Sequence, residues 1–278
     1  MLSTLELYHR LVNGIGRFTK ETGKDGAIVG ISGGIDSAVV TCLAIDALGK
    51  EKVHGLLMPG PLSTVHSLTD GIAICEANEI EHKVIPIDSV YSKILRELSP
   101  LFEHSHHNAA EEEKIQSRIR AIFLMYYAGQ KNVVALNTIN KSELAMDYGT
   151  IYGDLAGDLM VIGDIFKTRV YELAGFINRD IERIPWHTIR KEPSADLAPE
   201  QTGSCTIPPF PVLDPMLEDL TEHGRSAEEV TGTGANPECI RIVTERISHM
   251  EHTVLQCPPV LAVSERPLLP QNKCLYFT

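Results

Sequence analysis

The sequence has few of the features that mark several protein classes. Its six cysteines, Cys42, Cys75, Cys205, Cys239, Cys257 and Cys274, lie far apart and form no C-x-x-C pair. That spacing argues against a zinc framework and against a disulfide scaffold. Basic residues are scarce: 25 Lys and Arg against 37 Asp and Glu leave a formal charge of −12. Such a deficit speaks against nucleic acid as a partner, which needs clustered cations, but not against a small anion held in one local basic pocket. No apolar run approaches the ~20 residues that a bilayer-crossing helix requires. The longest clean one is Ala121 to Ala128. The first residues, MLSTLELYHRLV, are amphipathic and lack the basic start and unbroken apolar core of a signal peptide. The expectation is a cytoplasmic protein with no membrane partner. No internal repeat and no low-complexity segment stand out.

What is present suits a globular enzyme-sized chain. Of the 278 residues, 43% are hydrophobic and 22% charged, enough apolar material for one large domain. Short β-branched or apolar runs at 27–31, 53–57, 83–87 and 132–136 read as strands. Helical patterns at 36–48, 67–78 and 89–98 follow the first three, and a longer helix at 109–130 precedes the fourth. Strand–helix alternation of this length predicts an α/β fold, a doubly wound, Rossmann-like parallel sheet flanked by helices. Residues 137–166 read mainly as loop with one short helix at 141–146, and 167–179 as helix. Seven prolines between 185 and 215 rule out regular helix throughout that stretch. Helices are expected again at 212–223, 227–231 and 237–252, then an irregular end. The chain is thus expected to be a single domain, 1–278, with a core at about 25–180 and a loop-rich, helical extension at about 181–278.

The stretch GAIVGISGGIDSAVV at 26–40 places a strand, a glycine turn and a helix start in succession. Ligands of doubly wound sheets sit beyond the carboxyl ends of the strands, where such a turn meets a helix. Gly33 and Gly34 let backbone N–H groups approach an anion, Ser32 and Ser37 add hydroxyls, and the helix start adds partial positive charge. Asp36 would repel a phosphate unless Mg²⁺ sits between them. The turn lacks the G-K-[ST] ending of a Walker A loop, which disfavours a kinase or GTPase.

S-G-G-I-D-S resembles the pyrophosphate-binding (PP) loop of the N-type ATP pyrophosphatases, which cleave ATP to AMP and pyrophosphate while activating a carboxylate or carbonyl. Four further segments resemble the NAD synthetase family, ammonia-dependent type, in order and spacing: IQSRIR at 115–120, NTINKSELAMDYGTIYGD at 137–154, IGDIFKTRVYELA at 162–174 and EPSADLAPEQT at 192–202. The resemblance implies an adenine nucleotide alpha-hydrolase-like fold, ATP as co-substrate, Mg²⁺, and amidation of deamido-NAD to NAD through an adenylate. It assigns ATP binding to Gly30, Ile31, Ser32, Gly33, Gly34, Ile35, Asp36, Ser37, Thr138, Lys167 and Ser194. Asp36 and Glu143 would hold the metal, Lys167 would neutralise phosphate charge, and Arg118 and Asp158 would contact the second substrate, with Arg120 a neighbour. It also implies a homodimer, for which the amphipathic segments at 2–18 and 109–130 offer surfaces. Glutamine-using relatives carry a further glutaminase domain for which this chain has no room, so free ammonia or a separate glutaminase is the expected nitrogen donor.

Several positions depart from the family pattern. Asn137 stands for glycine, Ile151 for lysine, Gly203-Ser204 for Asp-Glu, and His252-Thr253-Val254 for a basic triplet. The ATP half of the pattern is the better kept, which leaves open a relative that amidates a different carboxylate. Cys205 leaves open sulfur transfer, and a nucleotide-binding regulator is the reading without catalysis. His104, His106 and His107 lack carboxylates at fixed spacing and read as exposed loop rather than metal ligands.

Overall fold

The computed structural model describes residues 2–102, 109–191, 207–231 and 236–277. Ser194, Gly203, Ser204, Cys205 and the three histidines at 104–107 lie outside the described residues. A seven-stranded parallel sheet runs in the order β3-β2-β1-β4-β5-β6-β7. Its strands are β1 (Ala27–Gly30), β2 (Val53–Leu57), β3 (Glu81–Val84), β4 (Val134–Asn137), β5 (Leu159–Met160), β6 (Val260–Leu261) and β7 (Cys274–Leu275). The helices are α1 (Thr4–Glu21), α2 (Ile35–Leu48), α3 (Val65–Ala77), α4 (Asp88–Leu98), α5 (Ala109–Lys131), α6 (Lys141–Ala145), α7 (Lys167–Ile177), α8 (Trp186–Arg190), α9 (Phe210–Thr221), α10 (Ala227–Thr231) and α11 (Pro237–Thr253).

Side-chain alternation along β1 sorts the layers. Ala27 and Val29 join Leu11, Ile15, Val39, Leu43, Ile74 and Leu173, so α1, α2, α3 and α7 cover one face. Ile28 points the other way, to Leu124 and Ala128 of α5. Because β1 is buried on both faces, it reads as a continuous apolar run rather than an alternating one. The chain winds from β1 outward to β3 and then returns to β4 on the far side of β1, so the order reverses between β1 and β4. A crevice opens at such a reversal, outside the carboxyl ends of the two strands.

The structure adds detail to the sequence reading and moves one strand. The third strand lies at Glu81–Val84 rather than 83–87, because it pairs with β2 only from His54↔Glu81 to Leu57↔Val84 and Pro86 has no N–H with which to continue. The stretch 137–166 contributes β5, and the tail expected to be irregular contributes β6 and β7. Two-residue strands carry no period for a sequence pattern to reveal. Within the proline-rich segment, Pro185 opens the single turn of α8. Cys42, Cys75, Cys257 and Cys274 are free thiols, whereas Cys239 is disulfide-bonded, so one bridge exists where the spacing announced none.

Candidate active site

The 32–37 turn leaves the carboxyl end of β1 and enters α2. Gly33 adopts φ +83°, and a Cβ there would lie 2.2 Å from the carbonyl oxygen of Ser67, so only glycine fits. Ser32 Oγ accepts from Gly34 N at 3.2 Å, and Ser37 Oγ donates to Gly34 O at 3.0 Å, which locks the turn from within. Gly34 caps α2 without any side chain to take up the first-turn N–H groups. Those donors, with the helix dipole, are the arrangement that suits an anion, in an otherwise acidic protein.

Three charged side chains from three helices meet beside this turn. Asp36 is the second residue of α2, Glu143 the third of α6 and Lys167 the first of α7. Lys167 Nζ donates to Asp36 Oδ2, and to Glu143 Oε1 at 3.2 Å. Glu143 is aimed by a capping box: Asn140 Oδ1 accepts from Glu143 N at 3.0 Å, while Glu143 Oε2 accepts from Asn140 N at 3.3 Å. Asn140 Nδ2 also donates to Asp36 Oδ1 at 2.9 Å, so one residue orients both acids. The sequence reading overlooked Asn140, although an Asn three residues before a Glu is the signal for such a box.

Burial governs the charges. Glu143 is enclosed, and loss of water together with the nearby Asp36 carboxylate raises its pKa to about 7. Burial works against the Lys167 ammonium, but Asp36 and Glu143 outweigh it and raise its pKa above the ordinary lysine range. Both carboxylates are hard oxygen donors converging on one ammonium position. Among the described residues no group of three or more His, Cys, Asp or Glu could enclose a metal ion. Two carboxylates with open positions suit Mg²⁺, which keeps waters and takes further ligands from substrate phosphates.

The remaining assigned residues divide. Gly30 ends β1, Ile31 follows it, Ile35 opens α2, and Thr138 immediately follows β4, all at the carboxyl edge of the sheet with the turn. Arg118 of α5 donates from Nε to Ile151 O at 3.4 Å, and its neighbour Arg120 donates to Met58 O at 2.9 Å, at the end of β2. Asp158 is bound into the sheet: its N–H donates to Ala135 O and its Oδ2 accepts from Ala135 N, each at 2.8 Å, extending the β4–β5 pairing by one residue. Asn137 staples the loop after β4, donating from Nδ2 to Asp154 O at 2.7 Å and Ala156 O at 2.9 Å. Ile151 packs with the cluster of Leu155, Met160 and Met250, and Thr253 donates to Asp147 Oδ1 at 2.7 Å, so both altered positions serve packing here. Asp70 of α3, also missed, is buried against Gly33 and accepts from Lys191 Nζ at 3.3 Å, with His187 Nε2 at 2.7 Å. No sequence pattern links these residues, which come from separate helices.

The NAD synthase family model matches residues 7–257. The glutamine-dependent NAD(+) synthetase of Synechocystis sp. is 40% identical over 266 residues, covering 96% of this chain and 48% of that protein. The chain therefore spans about half the length of such relatives. The NH3-dependent NAD synthetase of Campylobacter jejuni, solved with nitrate, superposes with a TM-score of 0.72 at 28% identity, covering 90% of this chain and 95% of that one. The glutamine-dependent NAD+ synthetase of Acinetobacter baumannii, solved with ADP, gives 0.67 at 28% identity, covering 96% of this chain and 48% of that one. A family-model match across most of its length, joined to a close superposition on solved relatives, shows that this chain belongs to the NAD synthase family.

Proposed function

We propose that the chain catalyses ATP-dependent amidation of deamido-NAD to NAD, as a carbon–nitrogen ligase. The carrying observation is the convergence of Asp36, Glu143 and Lys167 beside the 32–37 turn, beyond the carboxyl ends of β1 and β4. In this reading the turn's amides and the α2 dipole hold the polyphosphate of ATP. The nicotinate carboxylate attacks the α-phosphorus, the α–β anhydride bond breaks and pyrophosphate leaves. Lys167 neutralises the charge that develops on the departing phosphates. Ammonia then attacks the acyl carbon, loses a proton, and AMP leaves. Asp36 and Glu143 would hold Mg²⁺, which when bound neutralises and orients the phosphates. The chain's own contribution is placement and charge.

The nitrogen source belongs to the same reading. The Campylobacter relative of similar length is described as NH3-dependent, while the Synechocystis relative is twice as long and described as glutamine-dependent. We infer that ammonia is the nitrogen that attacks the acyl carbon and that the reaction takes place in the cytoplasm, where ATP is available. We also infer a homodimer. Ile122 and Tyr126, one helical turn apart on α5, are 63% and 70% exposed, with Leu101 and Phe102 exposed nearby in the chain, an apolar surface that a second copy would cover.

One observation favours a second reading, amidation of a different carboxylate. Where the family pattern carries cations for an anionic dinucleotide, Ile151 lies in an apolar cluster and Thr253 bonds to Asp147. The test offers pure protein ATP, Mg²⁺, ammonia and deamido-NAD and follows NAD and AMP together. Equal yields support the proposal. No AMP with deamido-NAD, but AMP with nicotinate mononucleotide or another acid, establishes the second reading.

A further inference from the structure

The N-terminus of α7 lacks a cap of its own: Phe166 precedes it and offers no side-chain hydrogen bond. Its first two N–H groups are instead taken by other helices. Lys167 N donates to Ser142 Oγ of α6 at 2.8 Å, and Thr168 N donates to Asp214 Oδ2 of α9 at 2.7 Å. Ser142 Oγ in turn donates to Asp214 Oδ1 at 2.6 Å, which closes a chain of three bonds between the helices. Asp214 and Ser142 are both buried, at 3% and 0% exposure, so water cannot substitute for either partner.

The other end of Lys167 meets α9 as well. Its ammonium lies 5.5 Å from the centre of the Phe210 ring, within the range of a cation–π contact. Phe210 and Asp214 are four residues apart and share one face of α9. A single helix face therefore reaches both ends of Lys167: Asp214 caps the adjacent Thr168 N–H and, through Ser142, the Lys167 N–H, while Phe210 faces the ammonium. The acids that hold the ammonium belong to other helices, Asp36 to α2 and Glu143 to α6. Acids alone would hold a long flexible side chain by its tip and leave its root free to shift.

We propose that Asp214 and Phe210 are positioning residues for Lys167, so that α9 sets where the lysine ammonium stands relative to the phosphate turn. The proposal rests on the reading of Lys167 as the phosphate-neutralising residue. In this proposal each acts through Lys167. A misplacement of about 1 Å costs up to ~100-fold in rate when a charge must meet a developing charge.

The test uses the full chain carrying Asp214→Asn, Phe210→Leu, Ser142→Ala and the double Ser142→Ala/Asp214→Asn. Three quantities are read on the folded fraction: the kcat and KM(ATP) of AMP formation, and the rate at which acetic anhydride labels Lys167, followed by mass spectrometry. Expected for Asp214→Asn is a kcat lower by about 10- to 100-fold with KM(ATP) changed less than about 3-fold, and Lys167 labelled several-fold faster. The double variant should lose no more than the worse single one, since both changes break the same chain of bonds. Phe210→Leu, the milder change, should show the same labelling shift if Asp214→Asn does not fold. Labelling of Lys167 at the parental rate in Phe210→Leu and in whichever cap variants fold, or a kcat loss that merely follows loss of folded protein, overturns the proposal. Labelling needs no turnover, so a parental protein that forms no AMP defeats the functional reading alone.

Discussion

At the scale of single residues, the site is an exercise in keeping like charges together. Asp36 and Glu143 share one lysine and one asparagine, and the burial that raises Glu143 to about 7 makes its ionisation sensitive near neutrality. The sign follows from linkage. In metal-free protein, folded Glu143 keeps a proton that the unfolded chain has already lost between the ordinary glutamate value and about 7, so its contribution to stability declines as pH rises through that window. Binding of Mg²⁺ requires the ionised form, so Mg²⁺-dependent ATP affinity should rise by about tenfold from pH 6 to pH 8, and Glu143→Gln should flatten that dependence; calorimetric titration at several pH values reads both. Under the proposed function, Asp36→Ala should lower AMP formation by at least ~100-fold in a steady-state assay, because a bound metal would lose one of its two proposed protein ligands and Lys167 loses one of its two carboxylates. Gly33→Ala should weaken ATP binding by more than ~10-fold and lower the melting temperature, since the new methyl group meets the Ser67 carbonyl at positive φ.

At the scale of elements, short pieces do the positioning and long ones the supporting. α6 has five residues, yet all five are buried, and it supplies Glu143, Ser142 and Lys141 to three different networks. Lys141 is fully buried and its Nζ reaches Asp164 Oδ1 at 2.8 Å, Glu222 Oε1 at 2.5 Å and Ser264 Oγ at 3.0 Å. It therefore fastens α6 to the approach to α7, to the end of α9 and to the segment after β6. Lys141→Met should cost about 3–5 kcal/mol in urea denaturation, because it leaves the buried Asp164 carboxylate without its cation rather than because the pair itself stabilises by that much. The long helices were the plainest elements in the sequence. α2, α5 and α11 lie within two residues of the limits their apolar spacing suggests. The strands β5, β6 and β7 were not legible, because two-residue strands are held by their neighbours rather than by a period of their own, and α8 was hidden within the proline-rich segment.

At the scale of the whole molecule, the reversal of strand order between β1 and β4 is what allows residues 107 positions apart, Asp36 and Glu143, to face one lysine. If a second copy covers the exposed face of α5, Ile122→Asp combined with Tyr126→Asp should convert a dimer to a monomer in light scattering, with the fold intact by circular dichroism. The chemistry was written in local strings: SGGIDS, NKSE and GDIFKT each carry their reactive residue at a helix start, and a helix start is dictated by three or four neighbours in sequence. Strand–helix alternation determined the doubly wound class, and such strings singled out the 32–37 turn and the residues Asp36, Glu143 and Lys167. They could not reveal the Asn140 bridge to Asp36, the Asp158 bond to β4, the apolar setting of Ile151 or the hold of α9 on Lys167. Each of these joins elements distant in the chain, and which distant groups meet is settled only when burial of the apolar faces brings the layers together and every buried donor must find an acceptor.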